Sequence, residues 1–205
     1  MDEAAFEALV NQAADGEAAA VLAAVGLDPT LATRADGEGT TLLHRACVRN
    51  RVDLASALLD RGSDVLGRDA DGWDALLCAT VRSSHNLALV TLLLDRGADP
   101  CSADNRGYTV LMDSAIHSDH QVCLLLVHRG ADLLAAKEGQ TALDLYGFDT
   151  NLAAAEKEER CAALRAAFAE GPHPSQVQRR KEIAAERSRA ELSRGGAAFR
   201  VDEND

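Results

Sequence analysis

The sequence predicts an all-α repeat solenoid: helix-turn-helix units joined by β-hairpin-like turns, with a helical cap before them and a helical extension after. Three observations predict it. The phrases LLDRGSD (58–64), LLDRGAD (93–99) and LVHRGAD (126–132) place Gly62, Gly97 and Gly130 at spacings of 35 and 33 residues. A second series, opening at Gly39, Gly72, Gly107 and Gly139, interleaves with the first at spacings of 33, 35 and 32, and a period of this size marks stacked supersecondary units. Hydrophobic residues make up 47% of the chain but aromatics only 3%, so the core must be built from Ala, Leu and Val, of which the first two favour helix.

Each unit reads in order. Thr41, Asp74, Thr109 and Thr141 stand where a side-chain oxygen accepts orphan N–H groups of a first helical turn. A helix of about two turns follows, then a loop and a second helix, for which Val52–Asp60 and Leu87–Asp95 are the clearest segments. That helix ends at Arg-Gly, with Gly suited to the left-handed position after the last turn. RDADG (68–72) and ADNRG (103–107) then supply turn chemistry, because Asp, Asn and Gly tolerate the backbone angles of tight turns.

In these motifs the sequence resembles the ankyrin-repeat family, whose pattern runs D-x-x-G-x-T-P-L-H-x-A-A and closes on L-L-x-x-G-A-D. The resemblance covers residues 36 to about 150. It implies repeats at 36–68, 69–103 and 104–135 and a partial fourth repeat at 136–171 whose long helix caps the array. Residues 1–35 then form a degenerate capping repeat with helices near Phe6–Ala14 and Ala18–Val25. Two departures stand out. Leu42, Ala75, Val110 and Ala142 replace the proline after the cap, which removes some pre-organisation of each helix start. The family's histidine survives only as His44, with Leu77, Met112 and Asp144 elsewhere, so an inter-repeat hydrogen bond is expected to be lost in those units. Two additional residues in the second repeat are placed in Val81–Asn86. A modestly stable array is expected.

Residues 152–168 read as a helix with an apolar stripe including Ala155, Cys161, Leu164 and Phe168. Gly171-Pro172 breaks the chain. The charged arm at 175–205, within the 172–205 tail, has two readings: a solvated, frayed helix, or a second partner contact that orders on docking.

The net charge of -12 is uneven, since seven of the 21 basic and six of the 33 acidic residues fall in 176–205. An acidic body disfavours nucleic acid and anionic membranes, whose binding needs clustered cations. Five widely spaced cysteines, none in C-x-x-C, argue against a disulfide framework or zinc module and for a reducing compartment. No apolar run is long enough for a membrane span, and MDEAAFEALV lacks a basic leader. Cytoplasmic residence is the expectation.

Chemistry offers one candidate cluster, Asp113, His117, Asp119 and His120, with Asp113 and His117 one helical turn apart. It supports an alternative reading as a metal-binding or hydrolytic protein. No phosphate loop or dinucleotide fingerprint is present, DADG (69–72) lacks the remaining ligands of a calcium loop, and no cofactor is expected. The leading expectation is a non-catalytic interaction module binding another protein. By the resemblance, the concave face of hairpin tips and first helices would do so through Glu38, Thr40 and Arg49, then Asp71, Trp73 and Arg82. It continues through Asn105, Arg106, Tyr108 and His117, and ends at Lys137, Glu138 and Gln140. Trp73 and Tyr108 lead, because aromatics and Arg dominate interface energetics; their other reading is stacking that stiffens neighbouring turns.

Overall fold

The computed structural model describes residues 2–15, 18–80, 87–117, 119–146 and 153–171. The expectations for the Val81–Asn86 loop, for Arg82 and for the 175–205 arm lie outside those residues. Among the described residues ten helices follow one another: α1 Glu3–Asp15, α2 Ala18–Leu27, α3 Leu42–Val48, α4 Val52–Asp60, α5 Ala75–Thr80, α6 Leu87–Asp95, α7 Val110–Ile116, α8 His120–His128, α9 Ala142–Tyr146 and α10 Ala154–Glu170. A 3-10 turn at Pro29–Ala32 closes the first pair. Odd-numbered helices pack on one another as an inner row, even-numbered helices as an outer row, and each odd helix packs on the even helix that follows it.

The core lies between the two rows. Leu42, Leu43, Leu54, Leu58, Leu76, Leu89, Leu93 and Leu111 are all essentially fully buried. Two aromatics fill the core at the ends: Phe6 on α1 and Tyr146 on α9 are both 0% exposed. At each end the neighbouring repeat is missing on one side, and a large ring fills more of that space than Leu can. Arg34 lies over the Phe6 ring at 4.7 Å, and His120 meets Tyr146 edge-on at 6.3 Å between centroids.

The outer helices α4 and α6 span the segments their sequence predicts. Gly62, Gly97 and Gly130 have φ of +90°, +97° and +92°. The amide of the residue after each glycine reaches back to the third-last helical carbonyl: Ser63 to Leu58 at 3.1 Å, Ala98 to Leu93 and Ala131 to Leu126 at 2.9 Å. This is the Schellman closure that the Arg-Gly phrase foretells. The Asp that ends each phrase then accepts from the amide two residues on, as in Asp64 from Leu66, Asp99 from Cys101 and Asp132 from Leu134. The preceding Arg points along the array. Arg96 pairs with Asp60 and Arg129 with Asp95, each at 2.8 Å.

The inner helices start on caps. Thr41 accepts from the His44 amide while His44 Nδ1 accepts from the Thr41 amide, a reciprocal capping box. Asp74 accepts from Leu76 and Leu77, and Thr109 from Met112. Thr141 departs from expectation. Its amide and hydroxyl both donate to Asp144, because the carboxylate three residues on is the stronger acceptor.

The seams between repeats correct one sequence expectation. His44 Nε2 does reach the carbonyl of Gly67 at 3.0 Å. The second unit lacks that histidine but keeps a bond at the equivalent place. Ser102, at the place that Gly67 holds one repeat earlier, donates its hydroxyl to the buried Asp74 carboxylate and accepts from Arg68 Nη2 at 3.1 Å. At the C-terminal end, α10 carries Cys161, Leu164 and Ala167 inward, with Phe168 partly buried. Ala155, expected in that stripe, is exposed.

Candidate partner-binding face

Four tight turns project beyond the inner row. Three are built the same way. In each, an Asp carboxylate accepts two backbone amides, Asp36 from Glu38 and Thr40, Asp69 from Asp71 and Trp73, and Asp104 from Arg106 and Tyr108, at 2.8–3.0 Å. The turn then closes through a glycine at positive φ. The fourth has Ala136 in place of the Asp. It is instead a two-residue hairpin in which strands β1 Ala136–Lys137 and β2 Gln140–Thr141 pair around Glu138 and Gly139, both at positive φ.

Adjacent turns are joined by backbone. The Ala70 amide donates to the Glu38 carbonyl at 2.8 Å, and the Asn105 amide to the Asp71 carbonyl at 3.0 Å. This leaves the Glu38, Asp71 and Arg106 side chains exposed at the tips, with Gln140 exposed on the last hairpin. Asn105 is exposed too, but its amide group donates to the Ala70 carbonyl at 2.9 Å, so the side chain ties one turn to the next. Thr40 is buried. Trp73 and Tyr108 hold equivalent places in successive turns and are half-buried against the core. Lys137 lies 3.7 Å from the Tyr108 ring centroid and 3.5 Å from the Glu138 carboxylate. The tyrosine is therefore backed by a cation from the next turn, and part of its stacking role is realised.

The water-facing stripe of the inner helices forms the floor of this face. On α3 and the residue that caps its end it comprises Arg45, half-buried Val48 and exposed Arg49, and on α7 and its end cap Asp113, exposed Ile116 and His117. On α5, between them, every residue is buried, including Cys78 at the register of Arg45 and Asp113. Arg45, Val48 and Ile116 were not singled out from sequence, although their fixed distance from the turn glycines carries the signal. Two buried polar atoms on this floor, Arg45 Nε and Asp113 Oδ2, have no hydrogen-bond partner. Burial raises the Asp113 carboxyl above its usual range, only partly offset by the Thr80 hydroxyl and the charge of His117.

The candidate metal or hydrolytic cluster separates by role. Asp119 caps α8, accepting from the Val122 amide at 3.2 Å. His120 turns toward Tyr146, with Nδ1 3.5 Å from the phenol oxygen, and burial together with the charge of Arg160 lowers its pKa. Among the described residues no three His, Cys, Asp or Glu converge on a position that could hold a metal ion. The cysteines are free thiols. Burial pushes Cys123 up to about 12 and Cys47 and Cys78 upward as well, which makes these three poor nucleophiles.

The regular alternation of turn, inner helix and outer helix has a counterpart among known families. A family model described as ankyrin repeats, three copies, matches residues 4–104 and again residues 67–137. The chain belongs to the ankyrin-repeat family. The first match begins within α1. No curated protein matches the chain. Ankyrin repeats are generally protein–protein interaction modules. Among the described residues no helix is long and apolar enough to cross a membrane.

Proposed function

We propose that this ankyrin protein is a non-catalytic interaction module that holds another protein across the face formed by its turns and inner helices. It would act as an adaptor, inhibitor, assembly factor or fixed subunit. The observation that carries the reading is the placement of Trp73 and Tyr108. Two large aromatics occupy the same rim position in successive repeats, part exposed on a rigid base, in a chain with 3% aromatics. Rigid aromatics bury area on binding at little entropic cost. Glu38, Asp71 and Arg106 at the tips, Gln140, and Arg49 and His117 on the floor surround them with polar groups, as a rim surrounds an anchor. The proposal includes Arg82 by register and the 175–205 arm as a second contact. Five free thiols suit a reducing, cytoplasmic setting.

The test is photo-crosslinking in the native cells, with a photoreactive amino acid at position 73, at position 108, or at exposed Asp53 on α4. A partner captured from 73 and 108 but not from 53, and captured less by a Trp73→Ala, Tyr108→Ala chain of unchanged circular dichroism, supports the reading. Capture from 53 alone, or no loss in the double variant, overturns it.

A further inference from the structure

The floor of the binding face has a charge order that names the kind of segment it fits. Its N-terminal part is cationic: Arg45 lies on α3 with Nε buried and unpartnered, and Arg49 is exposed one turn later. Two inner helices on, the floor turns acidic: Asp113 of α7 carries a buried oxygen without a partner. Between them α5 presents no charge among its described residues, Ala75 to Thr80, apart from its buried cap Asp74. Apolar Val48 and Ile116 sit beside the two charged groups at the helix ends. The rim runs the other way, with Glu38 and Asp71 at the first two turns and Arg106 at the third.

A buried donor and a buried acceptor left unpaired are costly, and a group that completes each one recovers that cost. Resting on the interaction reading above, we infer that the face recognises a dipolar protein segment. Its one end sets a carboxylate over Arg45 and Arg49, its other end sets a cationic or amide donor over Asp113, and apolar side chains lie over the uncharged helix α5 between them. Two interaxial steps of about 8–10 Å separate α3 from α7, so the complementary groups are about 16–20 Å apart. That is about eleven to thirteen residues of helix at 1.5 Å each. A uniformly acidic segment meets Asp113, Glu38 and Asp71, and a uniformly basic one meets Arg45 and Arg49. Like charges brought together in this way reject the wrong partner.

Three labelled helical peptides of about 15 residues, long enough for the span, share one leucine face and differ in charge. One has glutamates in the first turn and lysines in the last, one has glutamates throughout, and one has lysines throughout. Each is titrated with the full chain at physiological salt and followed by anisotropy. The dipolar peptide is expected to bind about tenfold more tightly than either uniform peptide. The isosteric Asp113→Asn and the exposed Arg49→Ala should each weaken it severalfold with unchanged circular dichroism, and Arg45→Ala more strongly. Equal or tighter binding of the all-lysine peptide would mean that the net negative body governs and overturns the proposal. So does indifference to the three substitutions, or absence of binding by every peptide. If crosslinks from position 73 still map a partner while no charge order is preferred, the dipolar segment falls and the interaction reading stands. If those crosslinks are also absent, both fall.

Discussion

Arg129 reaches back one repeat to Asp95, and Arg96 makes the same contact with Asp60, both at 2.8 Å. The Arg-Gly phrase thus builds a ladder in which each rung joins neighbouring outer helices. The aspartates are more than half exposed, so water and salt screen each rung. Arg96→Ala and Arg129→Ala should each cost less than about 1 kcal/mol in urea unfolding. A larger loss, or one independent of salt, would show that the arginine stems do more packing than their charges suggest.

Gly72 is where the turns touch. At φ +82° an added Cβ would lie 2.3 Å from Asn105 Oδ1 and 2.9 Å from the Asn105 backbone nitrogen, which is itself bonded to Asp71. Gly139 has a similar φ of +80° but nothing within 4 Å. Gly139→Ala should therefore cost only the left-handed backbone, about 1–2 kcal/mol. Gly72→Ala should cost clearly more, with loss of hydrogen-exchange protection at the Asn105 amide. Equal costs would mean that Asn105 moves aside freely.

Ser102 satisfies a charge. Asp74 is 0% exposed, and it accepts the Ser102 hydroxyl from the far end of the same repeat. Ser102→Ala should destabilise the array by about 1–3 kcal/mol, the usual result of leaving a buried acceptor short of a donor. Chemical denaturation of the full chain measures it, and a neutral result would show that other donors compensate.

Asp113 predicts a dependence on pH with a definite sign. Its folded pKa lies above the unfolded value of 3.8, so the folded chain holds this proton more tightly. The ionised carboxylate then weakens the fold. The penalty is complete above the folded pKa, shrinks as pH falls through it and vanishes below 3.8. Asp113→Asn should raise the urea midpoint at pH 7 and match the parent chain near pH 3. An advantage persisting at pH 3 would mean that packing, not charge, sets the difference. Stability given up at a binding group is a common trade.

The fold was legible because each unit repeats its local rules. The Arg-Gly phrase specifies a helix end, the Asp-x-x-Gly phrase a turn, and the period brings both into stacked register. What sequence could not show was substitution of one device by another. The loss of histidine at Leu77 suggested a broken seam, yet Ser102, 25 residues away in sequence, supplies the bond through Asp74. Thr141 read as a cap by type, but Asp144 reversed the direction of its hydroxyl. For the candidate face, Trp73, Tyr108 and the turn tips were found by register. Arg45 became conspicuous only through burial, and Asp113, singled out from sequence for metal or acid–base chemistry, gained its place on the floor the same way, because an unpartnered atom is a property of three-dimensional packing.

The last hairpin differs from the other turns in lacking the aspartate. Among the described residues no backbone hydrogen bond runs to it from the third turn; Lys137 over Tyr108 spans that gap instead. Under tension applied between the ends, an array of this kind yields coil by coil rather than all at once. The first coil to give way should be the C-terminal one, held by a side-chain clasp where the first three turns are stitched through main chain. A partner seated across the third and fourth turns would act as a splint on the softest part of this molecular spring.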